Sequence, residues 1–521
     1  MKSYNNHLIS TKSYGEAQNV NYRPTMRSSA VFPLIHKASK IKSIYTFMGY
    51  WMRKRNIPLV TVLVTIRDQN GNKIEVRSIE VKSVKSYAIS STELISKKEF
   101  FGSVEFEIFS AVDMVFPYPA ITFGLEGING LTFVHTCGRV YNDFDDLKSN
   151  EEKIVPETGF DLIVGKLYDP FFSFINGPIK IKNKKVELEY ISSKNKKKII
   201  HKTIKNIEPY GLGWIKLFEG NLKNLFEEGE KICVKIRHSF EGFFPRFVAG
   251  NIYRNFEDVS LTHSYYDTSI DKSDSSCWKN PSTKKYFDSV LSIPFDTKFS
   301  ETELAIYPNL THSPTNLKFE LYNELGELID TTPFNQKIAT KNNKLIYVKL
   351  LKVFSKHKNK LKDGNIRVVF DGFGVIPARM KFGLNFENFD KNNNLPSNIC
   401  FNAVVPNMKI LEKPETFHWC AIFDPNFQKI YLHNTSFVKK GFRDALIKIN
   451  VYRKSDDKNL EWRINIPYNG SKEIIKSYKS KLNKFLKKEI GWISFSCSSP
   501  FVTGYYVTDY GKGVIGADHL Y

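Results

Sequence analysis

The chain has 521 residues, and its 41% hydrophobic and 14% aromatic content is ample for the packed cores of roughly three to five domains. Its six cysteines are spread singly, without a Cys-x-x-Cys pair, which excludes a disulfide framework and a zinc module of paired cysteines. No run approaches about 18 consecutive apolar residues, so the sequence excludes a transmembrane helix.

The formal net charge of +22 is carried mostly by scattered lysine residues. Such a surplus attracts polyanions such as nucleic acid, acidic glycan or anionic lipid. A lysine-rich surface without a dedicated partner would give the same composition, so the charge alone leaves both interpretations open. The first thirty residues are polar and contain no apolar run, which predicts no secretory signal peptide and, by default, a cytoplasmic location.

Two Phe-Pro dipeptides are each followed by a histidine at the same distance. Pro117 and His135 are 18 positions apart (135 − 117), as are Pro245 and His263 (263 − 245), and the two histidines are 128 apart (263 − 135). The histidines that fit this interval or its double are His7, His135, His263 and His519. A period of domain size predicts tandem copies of one unit.

In chain order, each copy begins with a turn-rich segment and a short strand, followed by a strand in which apolar and polar residues alternate. Asp68 and Gly71, or Asn323 and Gly326, enclose the turn after that strand and predict a hairpin with a left-handed residue. A glycine then precedes a second alternating strand, a proline-containing bend follows, and a last strand leads to the histidine. The first alternating strands are predicted at residues 62–66, 186–190, 317–321 and 447–451, and the second at 104–108, 232–236, 366–370 and 493–495.

Short strands with turns roughly every 8–12 residues are typical of an antiparallel sandwich or barrel. The sequence therefore predicts an all-β chain of four tandem antiparallel β-sandwich repeats, jelly-roll-like, with a few short helices. The third repeat departs from the period, because Lys391 stands 128 positions beyond His263. We interpret this as an insertion around residues 392–397 that puts Phe401 or Asn402 in the histidine's place. The four repeats are predicted at residues 1–134, 135–262, 263–400 and 401–521.

Residues 472–488 show a helical rather than a strand pattern, with apolar residues on one side and lysines opposite. A basic amphipathic helix can lie on a membrane surface. This one occupies a segment between two predicted strands, so we expect its apolar side to pack over its own sandwich. Residues 343–362 are its expected counterpart in the third repeat.

The recurring histidines are the first candidates for chemistry, because histidine is the commonest metal ligand and the usual general base at neutral pH. A single imidazole in each copy supplies too few ligands for a zinc site, and no second histidine or carboxylate recurs at a fixed spacing from it. We interpret His7, His135, His263 and His519 as structural residues of the repeat junctions that bond to backbone. The sequence predicts no catalytic residue, no cofactor and no metal site.

Two further sets of residues could carry chemistry. His418 and Cys420 would share one face of a strand, but a catalytic Cys–His pair also needs an orienting group. Asp169, Asp296 and Asp424 stand at predicted strand ends. No Asp-x-Asp-x-Asp run accompanies them, so turn initiation fits them better than calcium binding.

Aromatic residues in predicted loops could stack on sugar rings, although core packing accounts for most aromatics in a chain so rich in them. The candidates for ligand-contacting loop aromatics are Tyr265, Tyr266, Trp278, Tyr505 and Tyr506.

The sequence predicts a non-enzymatic tandem-repeat binding or scaffold protein that recognises an acidic polysaccharide or another polyanion in cell-envelope glycan assembly. Linked copies of a weak site would combine their affinities. Sequence-specific nucleic-acid binding is not expected, because lysine dominates over arginine and no nucleic-acid module is present. Two alternatives remain: a structural or shell protein of viral type built from jelly-roll-like units, and an enzyme in which one diverged repeat carries the active site.

Overall fold

Eight strands, labelled A to H in chain order, build each of four successive β-sandwiches. In sandwiches 2 to 4, one sheet has the strand order D-C-F-A and the other has the order E-B-G-H, with antiparallel pairing. Sandwich 1 has the same two halves, but the ends of its strands A and B also pair and join them into one eight-stranded sheet. Strands C and D are neighbours in one sheet and G and H in the other, whereas the remaining connections cross between the sheets. Two sheets of four strands also match the strand number of a jelly roll. The chain is therefore an all-β array of four tandem antiparallel sandwiches.

The computed structural model describes most of the chain, with gaps. The described residues are 25–115, 119–135, 138–141, 157–266, 278–279, 286–310, 315–335, 338, 341–342, 344–361, 363–372, 376–377, 379–389, 394–404, 415–435 and 443–521. The chain forms two units. The first contains Met1–Ile128 and Phe133–Tyr266, and the second contains Asn129–Thr132 and Asp267–Tyr521. Apart from residues 129–132, sandwiches 1 and 2 belong to the first unit and sandwiches 3 and 4 to the second.

The first unit contains strands β1 to β19. Strands A to H of sandwich 1 are β1 (Arg27–Lys37), β2 (Ile41–Met48), β3 (Val60–Asp68), β4 (Lys73–Val81), β5 (Ser86–Ser90), β6 (Glu99–Phe109), β7 (Thr122–Glu126) and β8 (Leu131–His135). In sandwich 2 they are β10 (Glu157–Ile163), β11 (Tyr168–Ile175), β12 (Lys184–Ser192), β13 (Lys197–Ile204), β14 (Leu212–Lys216), β15 (Lys231–Arg237), β17 (Val248–Tyr253) and β18 (Asp258–His263). Short additional strands are β9 (Arg139–Val140), β16 (Phe243–Phe244) and β19 (Tyr265–Tyr266).

The second unit contains strands β20 to β39. Strands A to H of sandwich 3 are β21 (Tyr286–Asp296), β22 (Glu301–Ile306), β24 (Thr315–Asn323), β25 (Leu328–Pro333), β27 (Ile346–Lys349), β28 (Asp363–Gly372), β30 (Arg379–Glu387) and β31 (Ile399–Val404). In sandwich 4 they are β32 (Thr416–Ile422), β33 (Gln428–Asn434), β34 (Ala445–Tyr452), β35 (Asn459–Ile466), β36 (Ser471–Glu473), β37 (Gly491–Cys497), β38 (Val502–Asp509) and β39 (Ile515–His519). Short additional strands are β20 (Trp278–Lys279), β23 (Asn309–Leu310), β26 (Lys341–Asn342) and β29 (Ile376–Pro377).

The alternating sequences form strands C and F, the two central strands of the D-C-F-A sheet, so this prediction is confirmed in all four sandwiches. In strand C of sandwich 2, Val186, Leu188 and Tyr190 are buried in the core, and the intervening residues face outward. The core of this sandwich is aromatic, with the rings of Phe172 and Phe247 5.1 Å apart. Alternation with a period of two therefore gives each sheet one apolar face.

A helical segment follows strand E and precedes strand F in every sandwich. The predicted helix of sandwich 4 is confirmed as α4, which buries Ile474, Ile475, Leu482 and Leu486 on its own sandwich. Its expected counterpart in sandwich 3 is much shorter. The helices are α1 (Tyr50–Arg55, between B and C of sandwich 1), α2 (Ser91–Leu94), α3 (Leu350–Val353) and α4 (Ile474–Leu486), with 3₁₀ turns at Gly220–Leu225 and Ser355–His357.

The same joint connects the two sandwiches of each unit. In the first unit, the C–D turn of sandwich 1 contacts the D–E connection of sandwich 2, where the Leu212 amide donates to the Gln69 carbonyl. In the second unit, the Ser471 amide donates to the Glu324 carbonyl at the equivalent place. Both turns have the predicted hairpin chemistry. The side chain of Asp68 accepts from the amides two and four residues later, and that of Asn323 does the same.

The glycine of each turn makes this close contact possible. Gly71 and Gly326 have φ values of +89° and +83°, a left-handed conformation that glycine adopts without steric cost. A Cβ atom on Gly326 would lie 1.9 Å from the Tyr468 carbonyl oxygen, and one on Gly71 would lie 2.2 Å from the Pro209 oxygen. The two backbones therefore meet where no side chain fits.

A buried asparagine supports the receiving side of each joint. The Asn176 carboxamide donates to the carbonyls of Ile179, Ile207 and Glu208. The Asn434 carboxamide donates in the same way to the carbonyls of Arg443, Ile466 and Pro467. Each asparagine lies at or just after the end of strand B and ties that strand to the end of strand D and the start of the D–E connection.

An ion pair lies between sandwiches 3 and 4 of the second unit. Asp296 is 2% exposed and accepts from Lys429 Nζ at 2.8 Å and from Tyr431 Oη at 2.6 Å. Burial alone would raise the pKa of Asp296, but the charge of Lys429 and the hydrogen bonds from Lys429 and Tyr431 lower it below its ordinary value. The predicted turn role is also present, because Asp296 Oδ1 accepts from the Lys298 amide.

We predict that Gly326→Ala destabilises the second unit more than Gly511→Ala does. The φ values of Gly326 and Gly511 are +83° and +73°, so each substitution incurs the left-handed penalty of about 1–2 kcal/mol. A Cβ at Gly511 meets nothing within 4 Å, whereas at Gly326 it meets backbone. The clash should add roughly 1–3 kcal/mol, measured as the difference in unfolding free energy in urea. Equal losses in the two variants would show that the joint tolerates a side chain.

Candidate functional site

The recurring histidines occupy one place in the fold. His135, His263 and His519 each form the last residue of strand H, whereas His7 lies outside the described residues. His263 Nδ1 is 2.9 Å from the carbonyl oxygen of the next residue, and His519 Nδ1 is 2.9 Å from the equivalent oxygen. In sandwich 3, Phe401 and Asn402 lie in strand H instead. The rings of His263 and His519 thus bond to the backbone at the end of a sandwich.

In the first unit, Arg246 brings two of these histidines together. Its Nη2 atom lies 2.8 Å from Nε2 of His263 and 3.4 Å from Nε2 of His135, and the two imidazole rings are 4.8 Å apart in an edge-to-face arrangement. Arginine is always a donor. The imidazole of His263 therefore accepts from Arg246, and its Nδ1 atom also lies 2.9 Å from the Ser264 carbonyl oxygen. Both ring nitrogens are thus in hydrogen-bonding contact, which suits a structural role.

Two residues beyond the histidine, a tyrosine crosses onto strand A of the same sandwich. The backbone of Tyr265 pairs with Gly159, and its ring lies where a Cβ of Gly159 would stand. Its hydroxyl is 3.3 Å from Sγ of Cys233. In sandwich 4, the Tyr521 amide donates to the Trp419 carbonyl. Each tyrosine therefore covers the outward side of its own D-C-F-A sheet.

The structure places the described candidate loop aromatics in strands. Tyr265 is 2% exposed, and Tyr505 and Tyr506 lie in strand G at 5% and 0% exposure. The side chains of Tyr266 and Trp278 lie outside the described residues. None of the three described rings presents an open face to a ligand.

The Cys420 thiol and the His418 imidazole do not form an activated pair. Cys420 is fully buried, and burial raises its pKa well above the ordinary value. The imidazole of His418 lies 2.7 Å from the Tyr521 carbonyl and 2.8 Å from the Val502 carbonyl. A thiolate nucleophile requires a lowered pKa, so this arrangement does not supply one.

Among the described helices of the second unit, α4 has the most strongly basic solvent side. The helix has no acidic residue between its ends, and its lysines all face solvent. Lys476 pairs with Asp363 at 2.7 Å and Lys481 lies over the Trp462 ring, whereas Lys484, Lys487 and Lys488 have no ion-pair partner among the described residues. We call this surface the lysine face. It consists of Lys476, Lys479, Lys481, Lys484, Lys487 and Lys488.

The charges at the two ends of α4 suit the helix dipole. Glu473 caps the N-terminus of α4 and accepts from the amides of Ile475 and Lys476. Lysines cluster instead toward the C-terminus, where the helix dipole favours positive charge. The basic segment of sandwich 2 differs, because Lys180, Lys194 and Lys202 each pair with a glutamate. Among the described residues, five of the ten lysines at residues 180–205 pair with an acidic residue, compared with one of the six lysines of the lysine face.

The outward side of the D-C-F-A sheet in sandwich 4 carries a second unusual group. Trp419, Trp492, Ser494 and Asn450 lie there side by side, and all are buried. The alternation of Trp492 and Ser494 with the core residues Ile493 and Phe495 was visible in the sequence. This alternation shows which side of strand F the two residues occupy, but not which residues of the neighbouring strands lie beside them.

Comparisons with known proteins identify no family for this chain. No protein-family model matches the sequence, and no curated protein is similar to it. The chain is similar to a solved structure described as a tetra-tandem repeat in the extending region of a large adhesion protein. That similarity covers 94% of this chain and 98% of the other, at 9% identity and a TM-score of 0.11. Among the described helices, none has the length and apolar character needed to cross a membrane.

One buried imidazole has no hydrogen-bond partner among the described residues. His433 is fully buried in strand B of sandwich 4, and neither ring nitrogen is bonded. Its nearest aromatic neighbour is Tyr505, with ring centroids 6.0 Å apart. Burial lowers the pKa of His433 to about 3, because a charged imidazole would be desolvated there.

We predict that His433 makes the second unit sensitive to acid. Its pKa is lower in the folded than in the unfolded chain, so its contribution to stability is complete above about pH 6.5 and is lost as the pH falls. Each pH unit costs about 1.4 kcal/mol, which gives roughly 3 kcal/mol by pH 4.5. His433→Leu should flatten the unfolding free energy of this unit between pH 6.5 and 4.5. An unchanged slope would remove His433 as the cause.

Proposed function

We propose that the chain is a non-enzymatic tandem-repeat scaffold protein that binds an acidic polysaccharide or another polyanion through the lysine face of α4. The observation that carries this proposal is the set of six lysines on α4 and just after its C-terminus, of which five have no ion-pair partner among the described residues. Because the apolar side of α4 is buried on its own sandwich, the helix presents charge rather than an insertable apolar surface.

The sandwich scaffold supports this proposal by holding the lysines in place. α4 is anchored by four buried apolar side chains and by the Glu473 cap, so the lysines of α4 stand on a rigid element, and Lys487 and Lys488 follow directly at its C-terminal end. A fixed row of charges loses less entropy on binding than lysines on a flexible tail. Three of these lysines can contribute about 0.5–1 kcal/mol each to the binding of an anionic chain.

We predict that Lys484→Gln, Lys487→Gln and Lys488→Gln together weaken binding to a polyuronate column by roughly tenfold or more. The matched control is Lys180→Gln, Lys194→Gln and Lys202→Gln, which also lowers the net charge from +22 to +19 (22 − 3). The control lysines already pair with glutamates, so their loss should change retention little.

The measurement is the salt concentration that elutes each full-length variant. Earlier elution of the α4 variant alone supports a dedicated basic surface. Equal shifts in the two variants would mean that only net charge matters, and flow-through of the wild type at low salt would refute polyanion binding.

A further inference from the structure

The outward side of the D-C-F-A sheet in sandwich 4 combines aromatic rings with polar groups in register. On strand F, Trp492 stands opposite Tyr452 and Ala421, and Ser494 stands opposite Asn450 and Trp419. These residues alternate with core residues on the same strands, so they share the outward face.

Three polar groups on this face have no hydrogen-bond partner among the described residues: Trp492 Nε1, Ser494 Oγ and Asn450 Nδ2. Trp492 and Ser494 are fully buried and Asn450 is 1% exposed. The orientation of the Asn450 carboxamide is fixed, because its Oδ1 accepts from Asn459 Nδ2 at 2.9 Å. Buried polar groups in native proteins nearly always have partners, so these three donors are available to a bound ligand or to ordered water.

The three groups share one chemical character. An indole N–H and a carboxamide NH₂ can only donate, and a serine hydroxyl can donate as well. The complementary group is therefore rich in acceptors, such as the hydroxyl and carboxylate oxygens of a sugar acid.

Aromatic rings supply the other half of such a site. The Tyr521 ring is stacked on Trp419, with centroids 5.8 Å apart and planes 12° apart, and it lies 6.2 Å from the Trp492 ring. A flat ring already occupies the space beside both indoles. The apolar face of a pyranose ring has a similar shape and could take its place.

We propose that this face is a binding subsite for one pyranose residue of an acidic polysaccharide, and that the sugar ring replaces the ring of Tyr521. The inference rests on the proposed function, because the lysine face attracts any polyanion, whereas this subsite selects a glycan. Trp492, Ser494 and Asn450 donate to oxygens of the sugar, and Trp419 packs against its apolar face.

The test uses the full chain and a hexamer of galacturonic acid, with binding measured by calorimetry. Trp492→Phe keeps an aromatic ring but removes the donor, and it should weaken binding about tenfold without changing the salt dependence. Ser494→Ala is a smaller change that should act in the same direction. Tyr521→Ala should strengthen binding, because no ring has to be displaced.

The control for the tryptophan substitution is Trp51→Phe, which makes the same change at a buried site in sandwich 1. Urea unfolding of each variant identifies any that fail to fold. If Trp492→Phe does not fold, the binding measured for Ser494→Ala tests the subsite instead. The subsite would be overturned if Trp492→Phe and Ser494→Ala both bind the hexamer as tightly as the wild type does. It would also be overturned if ordered water were the only hydrogen-bond partner of the three donors.

The same measurements separate this inference from the proposed function. Loss of salt-dependent retention in the α4 variant, with normal hexamer binding by Trp492→Phe, would support polyanion binding and refute the subsite. Weak hexamer binding by Trp492→Phe, with full binding by the α4 variant, would support the subsite and refute the role of the lysine face. Polyphosphate serves as the probe without sugar rings, and Trp492→Phe should bind it as well as the wild type does.

Discussion

Backbone contact without an intervening side chain is the constraint on which each unit depends. The C–D turn of one sandwich and the D–E connection of the next approach so closely that a Cβ atom at Gly71 or Gly326 would overlap a carbonyl oxygen. Such contact leaves main-chain polar groups facing each other, and hydrogen bonds across the joint satisfy them. The buried carboxamides of Asn176 and Asn434 then hold the receiving segment in shape. The joint is rigid because it is built from backbone.

Local patterns predicted the parts of the fold that depend on local physics. Alternation located strands C and F in every sandwich, and helical spacing located α4, because burial of one face requires those periods. The joints could not be predicted, because Gly326 and Tyr468 are distant in sequence and no sequence pattern indicates that they are in contact. Trp419 and Trp492 were likewise visible as aromatics, but their shared position depends on strand register, which the sequence does not specify alone.

The positions and partners of the charged residues, more than the net charge, indicate which surface can bind a polyanion. Sandwich 2 and sandwich 4 both contain lysine-rich segments, but in sandwich 2 glutamates pair with five of the ten lysines at residues 180–205. In sandwich 4, Glu473 caps α4 and Glu489 accepts from the amides of Lys454 and Ser455, so neither carboxylate pairs with a lysine of the lysine face. The recurring histidine is likewise occupied, because its ring bonds to the backbone. Repetition in this chain therefore marks architecture, and the candidate binding surfaces lie where a sandwich differs from its copies.

The crossing of the chain onto strand A also determines how a sandwich would respond to mechanical force. In sandwich 2, Tyr265 and Tyr266 leave alongside Gly159 and Thr158, so the exit of the chain is bonded beside its entrance. In sandwich 1, the Gly138 carbonyl accepts from the Val31 amide in the same way. Tension between the preceding and following segments would open these few pairs one at a time, since the two ends separate from the same side.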